Sequence, residues 1–387
     1  MFSSRLPGRL EPNRLTQAIR RARIEKRPLV DLTTSNPTSV GLRYPKDLLA
    51  ALARPAANVY APDPRGLEPA RAAVAADYAR RGISVASDRV VLTASTSEAY
   101  SILFKLLCAP AGDSVLVPAP SYPLFDHLAG LDGVEPRQYR LEYHGRWTLD
   151  ETNVDEAWTA RARAVLAVSP NNPTGSALAG PELVWLSERC AERDAALIVD
   201  EVFADYLFDE TVPSAVSRRT PALTFRLGGL SKSAGLPQVK LGWIAVDGPA
   251  PLVDAALDRL DLISDTYLSV STPVQVAAPD LIARGGEVRG QILSRVRGNY
   301  DALRTIAEGD PAVEVLHADG GWSAVVRVPS TRPEEELAID LLEHAGVLVH
   351  PGFFFDFPHE AFLVVSLLPE PETFAEGVRR VLGRIHG

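Results

Sequence analysis

The chain has 387 residues, 46% of them hydrophobic and 23% charged, and its 40 basic against 49 acidic residues give a net charge of −9. That length allows a sizeable core and more than one domain, and the acidic balance offers no electrostatic footprint for nucleic acid. No apolar run reaches the roughly 18 residues of a membrane span, and two cysteines, Cys108 and Cys190, are too few for a disulfide framework and fit a reducing, cytoplasmic compartment.

Arginines crowd residues 5–27, from Arg5 and Arg9 onward, around Leu15, Ala18, Ile19 and Ala22, which recur at helical spacing. A short amphipathic helix with a solvated basic face is expected there, and no signal-peptide pattern is visible. Residues 28–45, rich in Pro, Asn and Thr, read as an extended crossing segment. From 90 to about 250, β-rich runs alternate with helical ones. Strands are expected at 90–93, 114–118, 135–141, 164–168, 196–199, 224–227 and 243–246, with helices near 97–108, 123–131, 181–193 and 250–263. Runs such as Leu197-Ile198-Val199 are apolar without alternation, as in strands covered on both faces. A mostly parallel, doubly wound sheet of seven strands follows. Beyond about 265, helical patterns at 274–284, 287–308 and 334–345 surround strands at 314–316, 323–328, 348–350 and 362–366, a smaller α+β unit. The expected division is an N-terminal arm over 1–45, a large domain over 46–264 and a small C-terminal domain over 265–387.

Four motifs sit at or just past expected strand ends, where ligands gather in open α/β sheets. Thr93-Ala94-Ser95-Thr96-Ser97-Glu98 leaves a strand and opens a helix, a junction whose free amides and dipole attract anions. Ser169-Pro170-Asn171-Asn172-Pro173-Thr174-Gly175, read alone, is a turn. Asp200 closes an apolar strand, so its carboxylate should be buried and needs a partner. Lys232 lies in Gly228-Gly229-Leu230-Ser231-Lys232-Ser233, eight residues before Lys240; alone it would be a solvated surface lysine.

In this order and spacing, over residues of about 30–385, the motifs resemble the class I/II aminotransferases, pyridoxal-phosphate (PLP) enzymes of fold type I. The resemblance implies that Lys232 forms a Schiff base with the cofactor and shuttles the α-carbon proton, and that Asp200 keeps the pyridine nitrogen protonated. Asn172 would reach the cofactor's phenolate oxygen and the substrate carboxylate. Thr96, Ser97, Ser231 and Lys240 would hold the phosphate, and Tyr122 would stack on the ring. Tyr60 would reach the site of a second subunit in a homodimer, and Gly41 would contact substrate. No metal is implied.

Departures from the family pattern bear on specificity. Phe203 stands where a tyrosine is usual, Gly229 where a phosphate-binding serine is frequent, Ser95 where glycine is, and Lys240 where arginine is commoner. Val364 occupies the place of the arginine that grips the substrate α-carboxylate. Arg327 and Arg43 are the candidate replacements, and standard dicarboxylic amino acids are expected to be poor substrates. Rival readings are a PLP-dependent carbon–sulfur β-lyase or decarboxylase, and a PLP-binding regulator. The regulator would need an additional DNA-binding module.

Overall fold

The computed structural model describes residues 3, 5–7, 11–209 and 220–386; Arg9 lies outside them. Its largest sheet has eight strands. They are β1 (Val90–Thr93), β2 (Ser114–Ala119), β3 (Glu135–Tyr143), β4 (Trp147–Leu149), β5 (Ala162–Val168), β6 (Ala196–Asp200), β7 (Thr224–Gly229) and β8 (Gly242–Asp247). Their order is β1-β8-β7-β6-β5-β2-β3-β4. Strands β7, β6, β5, β2 and β3 pair parallel, while β8 runs antiparallel to both of its neighbours. All seven expected strands form. The eighth, β4, turns back on β3 as a short antiparallel edge.

The two-sided burial explains the unalternating apolar runs. On β6, Ile198 enters a core with Leu103, Phe225 and Leu260, beneath the helices Thr96–Leu107 and Ala250–Tyr267. Leu197 and Val199 point the other way, toward Leu183 and Leu186 of the helix Gly180–Glu192. Successive residues of a strand face opposite sides, so both sides being covered demands an apolar residue at every position.

A second, antiparallel sheet of four strands comprises β9 (Glu314–Val315), β10 (Ser323–Arg327), β11 (His350–Pro351) and β12 (Phe362–Ser366), ordered β9-β10-β12-β11. The expected strand at 348–350 is divided: Val347–Leu348 pairs instead, in parallel, with Val30–Asp31. This pairing ties residues 30–34 to the C-terminal sheet, where Ser366 N donates to Leu32 O at 2.6 Å.

The two helices expected at 274–284 and 287–308 are one, Thr272–Ala307, of 36 residues. Gly285-Gly286 lies between the two expected ranges. Gly285 packs on Ala234, where a Cβ would lie 2.5 Å from the Ala234 Cβ, so its missing side chain lets the helix run on at close range. The first half of this helix buries Ala277, Ala278 and Leu281 against the large sheet's side, and the second half buries Ile292, Val296 and Leu303 in the C-terminal core. The N-terminal helix, Arg14–Ile24, buries Leu15, Ala18 and Ala22 as expected. No helix among the described residues is long and apolar enough to cross a membrane.

Candidate active site

Asp200 ends β6 with its carboxylate buried. Burial pushes its pKa up to about 6. Tyr100 Oη donates to Oδ2 at 2.6 Å, and the Val202 amide donates to Oδ1 at 3.0 Å. Both oxygens retain acceptor capacity beyond these bonds.

Lys232 rides on a single helical turn, Leu230–Ser233, that begins where β7 ends. Its Nζ lies 4.7 Å from the ring centre of Trp322 and 5.6 Å from that of Phe203, and the two rings meet edge to face. Burial lowers the amine's pKa to about 8, against the pull of the Asp200 charge, which acts to raise it. Near neutral pH a useful fraction of the amine is therefore unprotonated.

The helix Thr96–Leu107 begins with Ser95, whose Oγ accepts from Glu98 N at 3.1 Å; Glu98 in turn accepts from Ala94 N at 2.6 Å. The amides of Thr96 and Ser97 belong to the first turn and have no acceptor within the helix. Gly242 opens β8 against this corner. A Cβ there would stand 3.0 Å from Thr96 N and 2.9 Å from Ser95 C, so only glycine leaves these amides uncrowded. Lys240 is exposed two residues before it, with a φ of 60°.

Asn172 lies on the loop after β5 and its Oδ1 accepts from Ser323 Oγ of β10 at 3.3 Å. The neighbouring Asn171 is buried and knits this loop to the one after β2. Its Nδ2 donates to Pro120 O at 2.9 Å and its Oδ1 accepts from Ser121 Oγ at 2.8 Å. Tyr122 follows, 47% exposed.

Lys232, Asp200 and Phe203 thus come together, with Asn172 joined to them through Ser323 and Trp322. Other expected residues stand apart. Tyr60 is 76% exposed. Gly41 adopts a φ of 71°, and a Cβ on it would collide with the Glu370 carboxylate. The Arg43 side chain is exposed, and its main chain is held by Gln291. Arg327 pairs with Glu314 across β9 and β10, about 13 Å along the strand from Ser323. None of Tyr60, Arg43 and Arg327 has a hydrogen bond, ion pair or ring contact with Lys232, Asp200 or Asn172. Val364 is 1% exposed and packs with Trp147, Val325, Phe355 and Phe357.

Sequence reasoning missed Tyr100, Tyr206, Trp322 and Ser323. Tyr100 had a signal: it lies one helical turn beyond Thr96, so it shares that residue's side of the helix. Glu201, beside Asp200, forms a buried ion pair with Arg226 at 2.8 Å and faces Arg81 at 3.4 Å.

Known proteins share this architecture. The family pattern described as "Aminotransferase class I and II" matches residues 28–381. The glutamate-pyruvate aminotransferase AlaA of Haemophilus influenzae is 24% identical over 371 residues, covering 92% of this chain and 90% of the relative. The alanine aminotransferase of Mycobacterium tuberculosis is 26% identical over 378 residues, covering 93% and 86%. Among solved structures, alanine aminotransferase from Pyrococcus furiosus superposes with a TM-score of 0.88 at 22% identity, covering 96% of both chains. An aminotransferase from Escherichia coli gives 0.87 at 22% identity, covering 100% of this chain and 98% of the other. The match along almost the whole chain makes this protein a member of the class I and II aminotransferases, fold type I enzymes that use pyridoxal phosphate to pass amino groups between amino donors and 2-oxo acids.

Proposed function

We propose that Lys232 is the reactive amine of this aminotransferase and that Asp200, Asn172 and the Thr96–Ser97 corner hold the cofactor. The observation carrying this is the Lys232 amine, shifted down to about 8 beneath Phe203 and Trp322, facing a buried Asp200 shifted up to about 6. The donor set suits pyridoxal phosphate. A buried carboxylate with spare acceptor capacity suits a pyridinium N–H, an amine of lowered pKa suits an aldehyde, and uncrowded first-turn amides suit a phosphate. When bound, the cofactor supplies the aldehyde that takes up the amino group and a ring that accepts the α-carbon's electron pair.

The chain's own part is positional and protolytic. Asp200, steadied by Tyr100, keeps a negative charge at the ring nitrogen. Thr96, Ser97 and Ser231, with Lys240 as a point charge, hold the phosphate, and Tyr122 covers the ring. Lys232 Nζ takes the proton from the donor's α-carbon and returns it. Trp322 and Phe203 keep water from that nitrogen.

At the carboxylate end the site differs from the arginine-bearing pattern. Val364 brings methyl groups where a guanidinium would bind bidentately. The reading is a donor that is not a standard dicarboxylic amino acid, with Asn172 contacting substrate. The name of the Mycobacterium tuberculosis relative, alanine aminotransferase, supports a small monocarboxylic donor, whereas that of the Haemophilus influenzae relative also includes glutamate. Arg43, whose side chain is unpaired among the described residues, is the better placed of the two candidate cations, since Arg327 is engaged by Glu314. The enzyme would act as a cytoplasmic homodimer, with the exposed Tyr60 reaching the neighbouring site.

Borohydride reduction of the protein loaded with pyridoxal phosphate, followed by peptide mapping, should place the coenzyme on Lys232. In a separate, unreduced sample, adding single amino donors should convert the enzyme to its pyridoxamine form. Pyruvate and ammonia released without a 2-oxo acceptor would instead indicate elimination.

A further inference from the structure

The helix carrying Lys232 is only four residues long. One turn has almost no cooperative stability of its own, and its last carbonyls have no partners within it. Gly235 N donates to Lys232 O at 3.2 Å, and three side chains from elsewhere in the chain supply further donors. Tyr206 Oη donates to Lys232 O at 2.5 Å, Arg289 Nη1 of the long helix reaches Ser233 O at 3.5 Å, and Tyr44 Oη donates to Gly235 O at 2.7 Å.

Tyr206 also touches the cover over the amine. Its ring stands edge-on to Trp322, 5.2 Å between centres and 63° between planes. Its main chain is fastened to the same loop. Gly321 N donates to Tyr206 O at 2.9 Å, Leu207 bridges to Gly320, and Phe208 N donates to Asp319 O at 2.8 Å. The side chain is fully buried.

We propose that Tyr206 is a positioning residue whose hydroxyl fixes the main chain of Lys232 while its ring seats Trp322 over the Lys232 amine. One side chain sets both the reactive nitrogen and its aromatic cover. This rests on Lys232 being the reactive amine.

Tyr206→Phe keeps the ring and removes the hydroxyl. On holoenzyme with alanine and glyoxylate, a monocarboxylic 2-oxo acid, as probe substrates, kcat should fall roughly tenfold to a hundredfold, with KM for alanine changing far less. A second readout needs no turnover. In the apoprotein, acylation of Lys232 by an amine-reactive reagent, followed by mass spectrometry of its peptide across pH, should shift its midpoint upward from about 8. Trp322→Leu should shift it the same way, and the double variant should fall short of the product of the two single effects. A Tyr206→Phe enzyme with kcat within about twofold of wild type and an unmoved midpoint would overturn the proposal, even if its melting temperature dropped. Should Tyr206→Phe fail to fold, an unmoved midpoint in Trp322→Leu would overturn it equally. Wild-type protein that fixes no coenzyme at position 232 would sink the functional reading itself.

Discussion

Tyr100 and Asp200 are a hundred residues apart in sequence, yet the phenol donates to the carboxylate at 2.6 Å inside the large sheet's core. The bond favours the ionised carboxylate, and burial opposes it more strongly. Tyr100→Phe should therefore raise the Asp200 pKa above its present value of about 6. Losing a hydrogen bond to a charged group costs about 1.5–3 kcal/mol, so pyridoxal-phosphate affinity at pH 7 should weaken roughly ten- to a hundredfold. Equilibrium titration of apoprotein with the cofactor measures this.

A pH dependence of the apoprotein follows from the same carboxyl group. The unfolded chain releases the proton near the ordinary 3.8, the folded chain only near 6, so the folded state holds the extra proton between them. Stability contributed by this group is present at low pH and lost as pH rises through about 6. The loss amounts to about 3 kcal/mol at most. Denaturant melts of wild type and Asp200→Asn from pH 4 to 7 should show the decline in the wild type and its reduction in the variant.

Lys232→Ala should reduce the half-reaction with alanine by about a thousandfold or more, since it removes both the attachment point and the proton carrier. Stopped-flow absorbance after mixing with alanine measures the rate. A variant within tenfold of wild type would show that another base serves.

In the proposed site, Phe203 would leave the cofactor's phenolate without the hydroxyl donor that a tyrosine would provide. Phe203→Tyr should lower the pH midpoint of the cofactor's visible absorbance. A spectrophotometric titration that finds no change, or a rise, removes that account.

Val364→Arg tests what the apolar position tolerates. The side chain is enclosed by Trp147, Phe355 and Phe357. An unpaired guanidinium there should destabilise the fold by about 3 kcal/mol, lowering the melting temperature, without restoring rapid turnover of aspartate with 2-oxoglutarate.

The parallel sheet was legible because runs such as Val165-Leu166-Ala167-Val168 and Leu197-Ile198-Val199 are apolar without alternation, and the motifs around Lys232, Asp200 and Asn172 stand out by their characteristic spacing. Residues contributed by distant chain were not. Trp322 and Tyr206 meet beside Lys232 because residues 206–208 pair with residues 319–321, and neither local periodicity nor a motif encodes that pairing. The long helix runs through Gly285-Gly286 despite the pair's low helix propensity, because the contact of Gly285 with Ala234 favours a missing side chain, and that contact is not visible in the sequence. Arg327 looked available because sequence shows no partner, yet the antiparallel register sets Glu314 opposite it.

Gly285 has a mechanical consequence. With no space for even a methyl group between it and Ala234, the long helix cannot slip toward the lysine-bearing turn without pushing the backbone two residues from Lys232. The far half of that rod is embedded among the C-terminal side chains. One continuous rod thus rests at one point on the turn bearing Lys232 and at another in the C-terminal core, which fixes the distance between them.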